Sequence, residues 1–121
     1  MEYRFEIPGT LPTLNEYVNR ERTNRFSAAS LKRKTQDYIR AFILDAPKFP
    51  GYVTVWFEWI RPDMRSDKDN VAFAKKFVLD ALQEADVITK DSWKLCTPYD
   101  RKFAVNKSNP RTVVVITDEV I

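Results

Sequence analysis

The 121-residue sequence predicts an α/β (α+β) fold, with a mixed β-sheet of about four strands and two main helices packed on it. Runs rich in β-branched and aromatic residues alternate along the chain with segments whose apolar residues recur at helical spacing. The apolar content of 44% is typical of globular proteins, and the length suits one domain, residues 1–121, with a modest core.

The N-terminal half is predicted to contain one strand, one loop and one helix. Residues 3–7 alternate apolar and polar side chains, which predicts a strand that ends at a Pro-Gly pair. Residues 10–26 are polar and without periodicity, so we expect a long, mobile, basic loop. Ser27 is a good N-cap for the helix predicted over residues 28–44, which Pro47 ends.

The C-terminal half is predicted to contain three strands and the second helix. Residues 52–60, YVTVWFEWI, have the composition of a central strand. Residues 71–85 have apolar side chains at helical spacing, with Asp69 as the candidate N-cap. Residues 94–105 and 112–117 are predicted as a strand pair around NKSNPR.

The distribution of charge favours an anionic partner. The chain has 20 Lys and Arg against 17 Asp and Glu, a net charge of +3, and its cations concentrate between residues 20 and 40. Lys and Arg contacts to phosphates supply affinity that does not depend on sequence. We therefore expect a DNA-binding surface formed by Arg20, Arg22, Arg25, Lys32, Arg33 and Lys34.

Composition also excludes several classes of site. The sequence has no histidine and one cysteine, which excludes an imidazole general base, a zinc finger and an internal disulfide. It has neither an apolar stretch long enough to cross a membrane nor a signal-peptide pattern, so we expect a cytoplasmic protein without a membrane partner. No small-molecule cofactor is expected, and any chemistry must come from carboxylates, lysines, hydroxyls or a bound metal.

The segment RSDKDN places Asp67 and Asp69 one residue apart, just before the second predicted helix. In an extended segment two such side chains point the same way, and their mutual repulsion favours a cation between them. Mg²⁺ suits carboxylate oxygens. The structural alternative, which this motif alone favours, is that Asp69 caps the helix and Asp67 is merely solvated.

The spacing along the second helix selects a lysine. On a continuous helix Lys76 lies within about 20° of the face of Asp69, whereas Lys75 lies about 120° away. Helical side chains lean toward the N-terminus, so Lys76 is predicted to reach back toward the acidic pair.

The segments SDKDN, KKFVLDAL and ADVITKDSW, with LPTLNEY and FSAAS upstream, resemble the signature of RusA-type Holliday junction resolvases. These are small phage-borne endodeoxyribonucleases of DNA recombination and repair, and the resemblance spans most of the chain in order. It implies a RusA-like homodimer that uses Mg²⁺, with Mn²⁺ as a substitute, to cut paired strands of a four-way DNA junction.

The resemblance also implies which residues act. The family's catalytic and metal-binding carboxylates fall on Asp67, Asp69 and Asp91. Its lysine falls on Lys76, with Lys75 as the alternative. The family often carries two adjacent aspartates in the turn, but Lys90 occupies the first position here, so we expect reduced acidity beside Asp91.

Two other interpretations remain open. Pro62-Asp63 and Asp100-Arg101-Lys102 match the Pro-Asp…(Asp/Glu)-x-Lys pattern of another nuclease class, although such short matches often arise by chance. Alternatively, the chain is a non-catalytic DNA-binding protein whose aspartates are structural. Cleavage that depends on Mg²⁺ distinguishes an enzyme from a binding protein.

Three aromatic residues outside the predicted strands have two interpretations each. Trp93 is expected to pack against its own turn rather than to contact DNA. Tyr17 and Phe26 either stack on unpaired bases or pack within the protein.

Overall fold

The computed structural model describes residues 1–119, and it has a mixed α+β fold, as the sequence predicts. One four-stranded sheet is combined with three helices of ten or more residues and one of five. In chain order the elements are β1 (Glu2–Pro8), α1 (Leu14–Thr23), α2 (Arg25–Arg40), β2 (Val53–Arg61), α3 (Lys68–Ala72), α4 (Lys75–Glu84), β3 (Cys96–Val105) and β4 (Arg111–Thr117).

The strand order in the sheet is β1-β4-β2-β3. β2 is parallel to β3 and antiparallel to β4, and β1 is antiparallel to β4. The predicted central position of β2 is therefore confirmed. The predicted pairing of the last two strands is wrong, because β2 lies between them. β4 is buried along residues 112–117, which suits a central strand, whereas the charged run of β3 at residues 100–102 suits an edge.

The core lies between the helices and one face of the sheet. Alternate residues of β2, Val55, Phe57 and Trp59, belong to this core because successive side chains of a strand point to opposite faces. Ile39 of α2 and Phe77 of α4 belong to the same buried cluster. Packing between α2 and α4 thus holds the helical layer over the sheet.

The segment predicted as a mobile loop is largely helical, and this is a correction. α1 begins after Thr13, whose Oγ1 accepts a hydrogen bond from the backbone N–H of Glu16 (3.3 Å). Ser/Thr followed three residues later by Glu is the capping-box pattern, so the sequence did contain a signal for this helix. Tyr17 anchors α1 through aromatic contacts with Phe73 and Phe77.

The predicted N-cap of α2 is also wrong. Asn24, rather than Ser27, caps the helix, and its Oδ1 accepts a hydrogen bond from the Ser27 backbone N–H (2.7 Å). Asn24 has an extended backbone and ends α1 as well, so the two helices are joined by this single residue. The basic residues on α1 and α2 are therefore carried by a helical pair.

The second predicted helix is interrupted. α3 ends at Ala72, α4 begins at Lys75, and the two residues between them form a turn. The Lys76 N–H bonds to the carbonyl of Phe73, three residues back, rather than four residues back as in an α-helix. The continuous helical face on which the position of Lys76 was predicted therefore does not exist.

Across residues 1–119, every helix is too short or too polar to span a bilayer.

Candidate active site

A cleft of about 570 Å³ opens where β2 and β3 end. The two strands are parallel, so their carboxyl ends meet at one edge of the sheet. The loop from β2 to α3 forms one wall, with Asp63, Asp67 and Asp69, and the end of β3 forms another. We call this site, which Asp67 and Asp69 flank, the acidic cleft.

Asp67 and Asp69 both line the acidic cleft, although not in the predicted way. Asp67 is the extended N-cap residue of α3, and its side chain makes no capping hydrogen bond. Asp69 is not the N-cap: it lies in the first turn of α3, and its Oδ1 accepts from the Asn70 N–H (2.9 Å). Both residues are exposed, and no ion pair within residues 1–119 involves either carboxylate. The structure therefore does not support the interpretation of Asp69 as a helix cap.

Asn70 positions the acidic segment against α1, a role that its sequence context did not predict. Its Oδ1 accepts a hydrogen bond from the Asn15 backbone N–H (2.9 Å), which ties the first turn of α1 to α3. Phe73 contributes a second anchor through its ring contacts with Tyr17 and Phe77. Asn70 stands beside the acidic pair in the sequence, but only the fold identifies its partner.

Lys75 does not line the acidic cleft. Its Nζ lies 2.6 Å from Asp100 Oδ2, and Asp100 Oδ1 accepts a hydrogen bond from Trp59 Nε1 (2.8 Å). Trp59 itself lines the cleft, so this network supports the cleft wall from behind. The ammonium of Lys75 is thus already paired within the chain.

Lys76 is exposed and lies outside the acidic cleft of its own chain. It lines a second, polar groove between α2 and α4, together with Lys32, Gln36, Asp80, Gln83 and Glu84. The break between α3 and α4 is the reason, because Lys76 no longer continues the helical face of Asp69. Within this groove Lys32 forms an ion pair with Asp80 (3.4 Å), while Lys76 forms no ion pair within residues 1–119.

Asp91 lies at the other end of the strands. Its backbone N–H donates a hydrogen bond to Gln83 Oε1 (2.7 Å) near the C-terminus of α4. The turn that follows Asp91 is joined to the start of β2, because the Leu95 carbonyl accepts a hydrogen bond from the Val53 N–H (2.9 Å). At about 3.3 Å per residue, β2 separates this end of the sheet from the acidic cleft by roughly 25 Å. Within residues 1–119, no three Asp, Glu or Cys side chains gather as they would around a metal ion.

The alternative nuclease pattern is not assembled. Asp100 pairs in register with Phe57, well before the end of β2, and its carboxylate is held by Lys75 and Trp59. Asp63 lies beyond the end of β2 in the cleft wall, and it accepts a hydrogen bond from the Arg65 N–H (3.0 Å). The two acids of that pattern are therefore separated along the sheet.

The six predicted DNA-binding cations lie on α1 and α2. Arg20 and Arg22 lie in the last turn of α1, and all six except Lys32 are exposed. The two aromatic residues of this region differ: Tyr17 packs inside the protein, whereas Phe26 is 74% exposed with the Arg25 guanidinium 5.4 Å from its ring centroid.

The predicted packing of Trp93 is wrong. Its side chain is 98% exposed. The turn that carries it is closed by hydrogen bonds from the backbone N–H groups of Leu95 and Cys96 to the Ser92 carbonyl. A Trp side chain with this exposure is unusual, because burying an aromatic ring is strongly favourable.

The single cysteine, Cys96, is expected to resist thiol reagents in the folded protein. Burial, assisted by the negative charge of Asp91, raises the pKa of its thiol to about 12. Since the thiolate is the reactive form, modification by a maleimide at pH 8 should be very slow until the chain unfolds. Mass spectrometry with and without denaturant measures this difference. Equal labelling under both conditions would contradict the burial of Cys96.

A scan against protein-family models finds no match for this chain, and a search of curated proteins finds none either.

Proposed function

We propose that this protein is a cytoplasmic, Mg²⁺-dependent, structure-specific endodeoxyribonuclease of the RusA type, which resolves Holliday junctions. The observation that carries the proposal is the pair Asp67 and Asp69, whose exposed carboxylates flank one cleft without an ion pair in the described chain. Two like charges on one cleft repel each other, and a bound cation between them would relieve this repulsion.

The donor set fits a hard divalent ion. Carboxylate oxygens are the ligands of Mg²⁺ and Mn²⁺, and such sites commonly use one or two carboxylates plus substrate phosphate oxygens. Asp67 and Asp69 would hold the ion in the acidic cleft. When bound, the ion would supply an activated water and a Lewis acid at the scissile phosphate.

The position of Asp91 supports a homodimer. One chain brings Asp67 and Asp69 to the acidic cleft but carries Asp91, the third carboxylate that the resemblance implies, at the opposite end of β2 and β3. A two-fold axis perpendicular to these strands places the start of β3 in one protomer beside the end of β3 in its partner. We propose that each site combines Asp67 and Asp69 of one protomer with Asp91 of the partner. The two sites of such a dimer match the two symmetric strands of a four-way junction.

Lys76 faces the polar groove between α2 and α4 and not the acidic cleft of its own chain. It shares the polar groove with Gln83, which accepts the hydrogen bond from Asp91. In the proposed dimer Lys76 therefore approaches the site from the partner together with Asp91. Its ammonium, without an ion pair in the described chain, would stabilise negative charge on the phosphate.

The exposed cations of α1 and α2 would hold the DNA backbone. Replacing both Arg33 and Lys34 with Gln should weaken junction binding equally for different sequences. If both contact phosphates, the slope of log K against log salt should become shallower by about 1.8, since each phosphate contact contributes about 0.9. Titrations by fluorescence anisotropy from low to moderate salt measure this slope. An unchanged slope would mean that Arg33 and Lys34 do not contact the DNA phosphates.

The direct test uses purified protein with a labelled four-way junction, a flap and a linear duplex, each with and without Mg²⁺. We expect paired nicks in the junction only when Mg²⁺ or Mn²⁺ is present, and slower cleavage of the flap and duplex. Tight junction binding without cleavage in either ion would instead support the non-catalytic DNA-binding protein. Ca²⁺ is a useful control, since it takes oxygen ligands but has less regular geometry than Mg²⁺.

A further inference from the structure

The turn of residues 90–95, here called the Trp93 turn, presents an apolar ring between charges. Trp93 is 98% exposed, and Lys90 and Lys94 flank it in the sequence. The turn is closed by hydrogen bonds from the N–H groups of Leu95 (3.1 Å) and Cys96 (3.0 Å) to the Ser92 carbonyl. The ring is therefore displayed on an ordered element, which lowers the entropic cost of burying it against a partner.

The acidic cleft has a complementary composition. Its apolar lining comes from Trp59, Val71, Phe103, Ala104 and Val105, with Met64 at the mouth, 86% exposed. A flexible Met side chain adapts to aromatic rings and makes favourable sulfur–aromatic contacts. A cleft of about 570 Å³ has room for an indole ring, so its apolar part can receive Trp93.

The charges around the ring and on the cleft wall are opposite in balance, by a small margin. Carboxylates outnumber cations in the cleft lining by three to two: Asp63, Asp67 and Asp69 against Arg61 and Lys68. Lys90 and Lys94 are exposed, and neither forms an ion pair within residues 1–119. Complementary charge of this kind orients two surfaces as they meet and disfavours wrong pairings.

We propose that Trp93 of each protomer inserts into the acidic cleft of its partner and fixes the position of the partner's catalytic carboxylate. The inference rests on the proposed dimeric nuclease, because Asp91 is only two residues from Trp93. Once the ring occupies the apolar side of the cleft, Asp91 lies near Asp67 and Asp69. Trp93 thus acts as an anchor and a positioning residue, and Asp91 acts on the metal.

Pairing of β3 edges is disfavoured as an alternative means of assembly. β3 is an edge strand, but Pro98 lacks an N–H and a register irregularity occurs opposite Phe57 and Glu58. Proline, bulges and charged residues are features that prevent edge-to-edge pairing of sheets. Association of two chains at this edge therefore depends on side chains, which favours an aromatic anchor.

The first test measures dimerisation without DNA or metal, by analytical ultracentrifugation. Trp93→Ala should raise the dimer dissociation constant by about 30-fold or more, the effect of losing a central aromatic anchor. Leu44→Ala is the matched control, because Leu44 is also apolar and highly exposed, at 82%, but lies outside the cleft and the Trp93 turn. Thermal unfolding of the monomer should not change, since Trp93 is exposed in its own chain.

The second test locates the ring. Chains carrying Lys94→Cys, which keep the Trp93 ring, are mixed with chains carrying Val105→Cys, and a short bis-maleimide is added. We expect covalent dimers that join the two different chains, because Val105 lies on the cleft and is accessible. The native Cys96 should not interfere, since its thiol is buried and its pKa is raised to about 12. Chains carrying Lys94→Cys mixed with Leu44→Cys should give no such product.

The outcomes separate this inference from the nuclease assignment. A Trp93→Ala protein that dimerises and cuts junctions like the wild type overturns the anchor and leaves the nuclease standing. Normal dimerisation with weakened junction binding also overturns it, because Trp93 then contacts DNA. Loss of dimerisation together with the specific cross-link supports the anchor, even if the wild-type dimer cuts no DNA, in which case only the proposed activity falls.

Discussion

Asp69→Asn is expected to reduce Mg²⁺-dependent cleavage of a four-way junction by more than about 100-fold, since losing even an outer-shell partner of a metal typically costs 10–100-fold. The amide keeps the shape of the carboxylate but removes the negative charge that holds a cation. Junction binding should be retained or become tighter, because less negative charge then faces the phosphates. Single-turnover cleavage and anisotropy titration on the same preparation measure the two effects separately.

Asp45→Asn is the matched control for this substitution. Asp45 is an exposed carboxylate outside the acidic cleft, so the same chemical change there should leave the cleavage rate unchanged. The fold of the Asp69→Asn protein should be intact, because the Asn70 N–H that bonds to Asp69 Oδ1 can bond equally to an amide oxygen. Cleavage at the wild-type rate by the Asp69→Asn protein would refute the assignment of the site.

Heterodimers of two inactive variants are expected to regain activity. An Asp69→Asn chain supplies an intact Asp91, and an Asp91→Asn chain supplies intact Asp67 and Asp69. If each site combines the two chains, one of the two sites in the heterodimer is complete. Heterodimers purified through two different affinity tags should nick junctions at about half the wild-type rate, whereas both homodimers should be inactive.

The product of this heterodimer provides a second readout. One complete site cuts one strand, so the expected product is a singly nicked junction rather than a resolved pair of duplexes. Inactive heterodimers, with both homodimers confirmed to be folded and dimeric, would mean that the three aspartates act within one chain. Such a result would require a large rearrangement, since β2 separates Asp91 from the acidic cleft by roughly 25 Å.

The same design assigns Lys76. If Lys76 acts in the same site as Asp67 and Asp69 of its own chain, a Lys76→Gln chain should restore activity with an Asp91→Asn chain but not with an Asp69→Asn chain. If Lys76 acts in the same site as Asp91 of its own chain, the Lys76→Gln chain should restore activity with an Asp69→Asn chain but not with an Asp91→Asn chain. We expect the second result, in which Lys76 acts with Asp91, since Lys76 and Gln83 share the polar groove. Lys75→Gln should behave differently, because Lys75 is already paired with Asp100.

The sequence predicted those strands and helices whose formation depends on residues close together in the chain. The alternation of residues 3–7 and the β-branched composition of residues 52–60 were enough to locate β1 and β2, since burial on a pleated strand requires these patterns. The apolar spacing of residues 71–85 located α4. The capping box at Thr13 and Glu16 also signalled α1, but the low apolar content of that segment concealed it.

The strand order and the interruption between α3 and α4 were not predictable in this way. β3 and β4 follow each other in the chain, which favours a hairpin, yet β4 inserts between β1 and β2 because all its side chains from 112 to 117 must be buried. The turn at residues 73–74 lies within a pattern that is continuous in sequence. Burial of Phe77 against Tyr17 and the core sets the direction of α4 there.

By itself the sequence determined which side chains are available for chemistry: aspartates without histidine, cations in one region, and the neighbouring pair Asp67 and Asp69. Only the tertiary structure decided that Asp91 lies at the opposite end of the strands and that the Trp93 side chain is exposed rather than packed within residues 1–119. The physical reason is that composition and local spacing act over a few residues, whereas the distance between two such residues depends on how β2, α4 and β3 pack together.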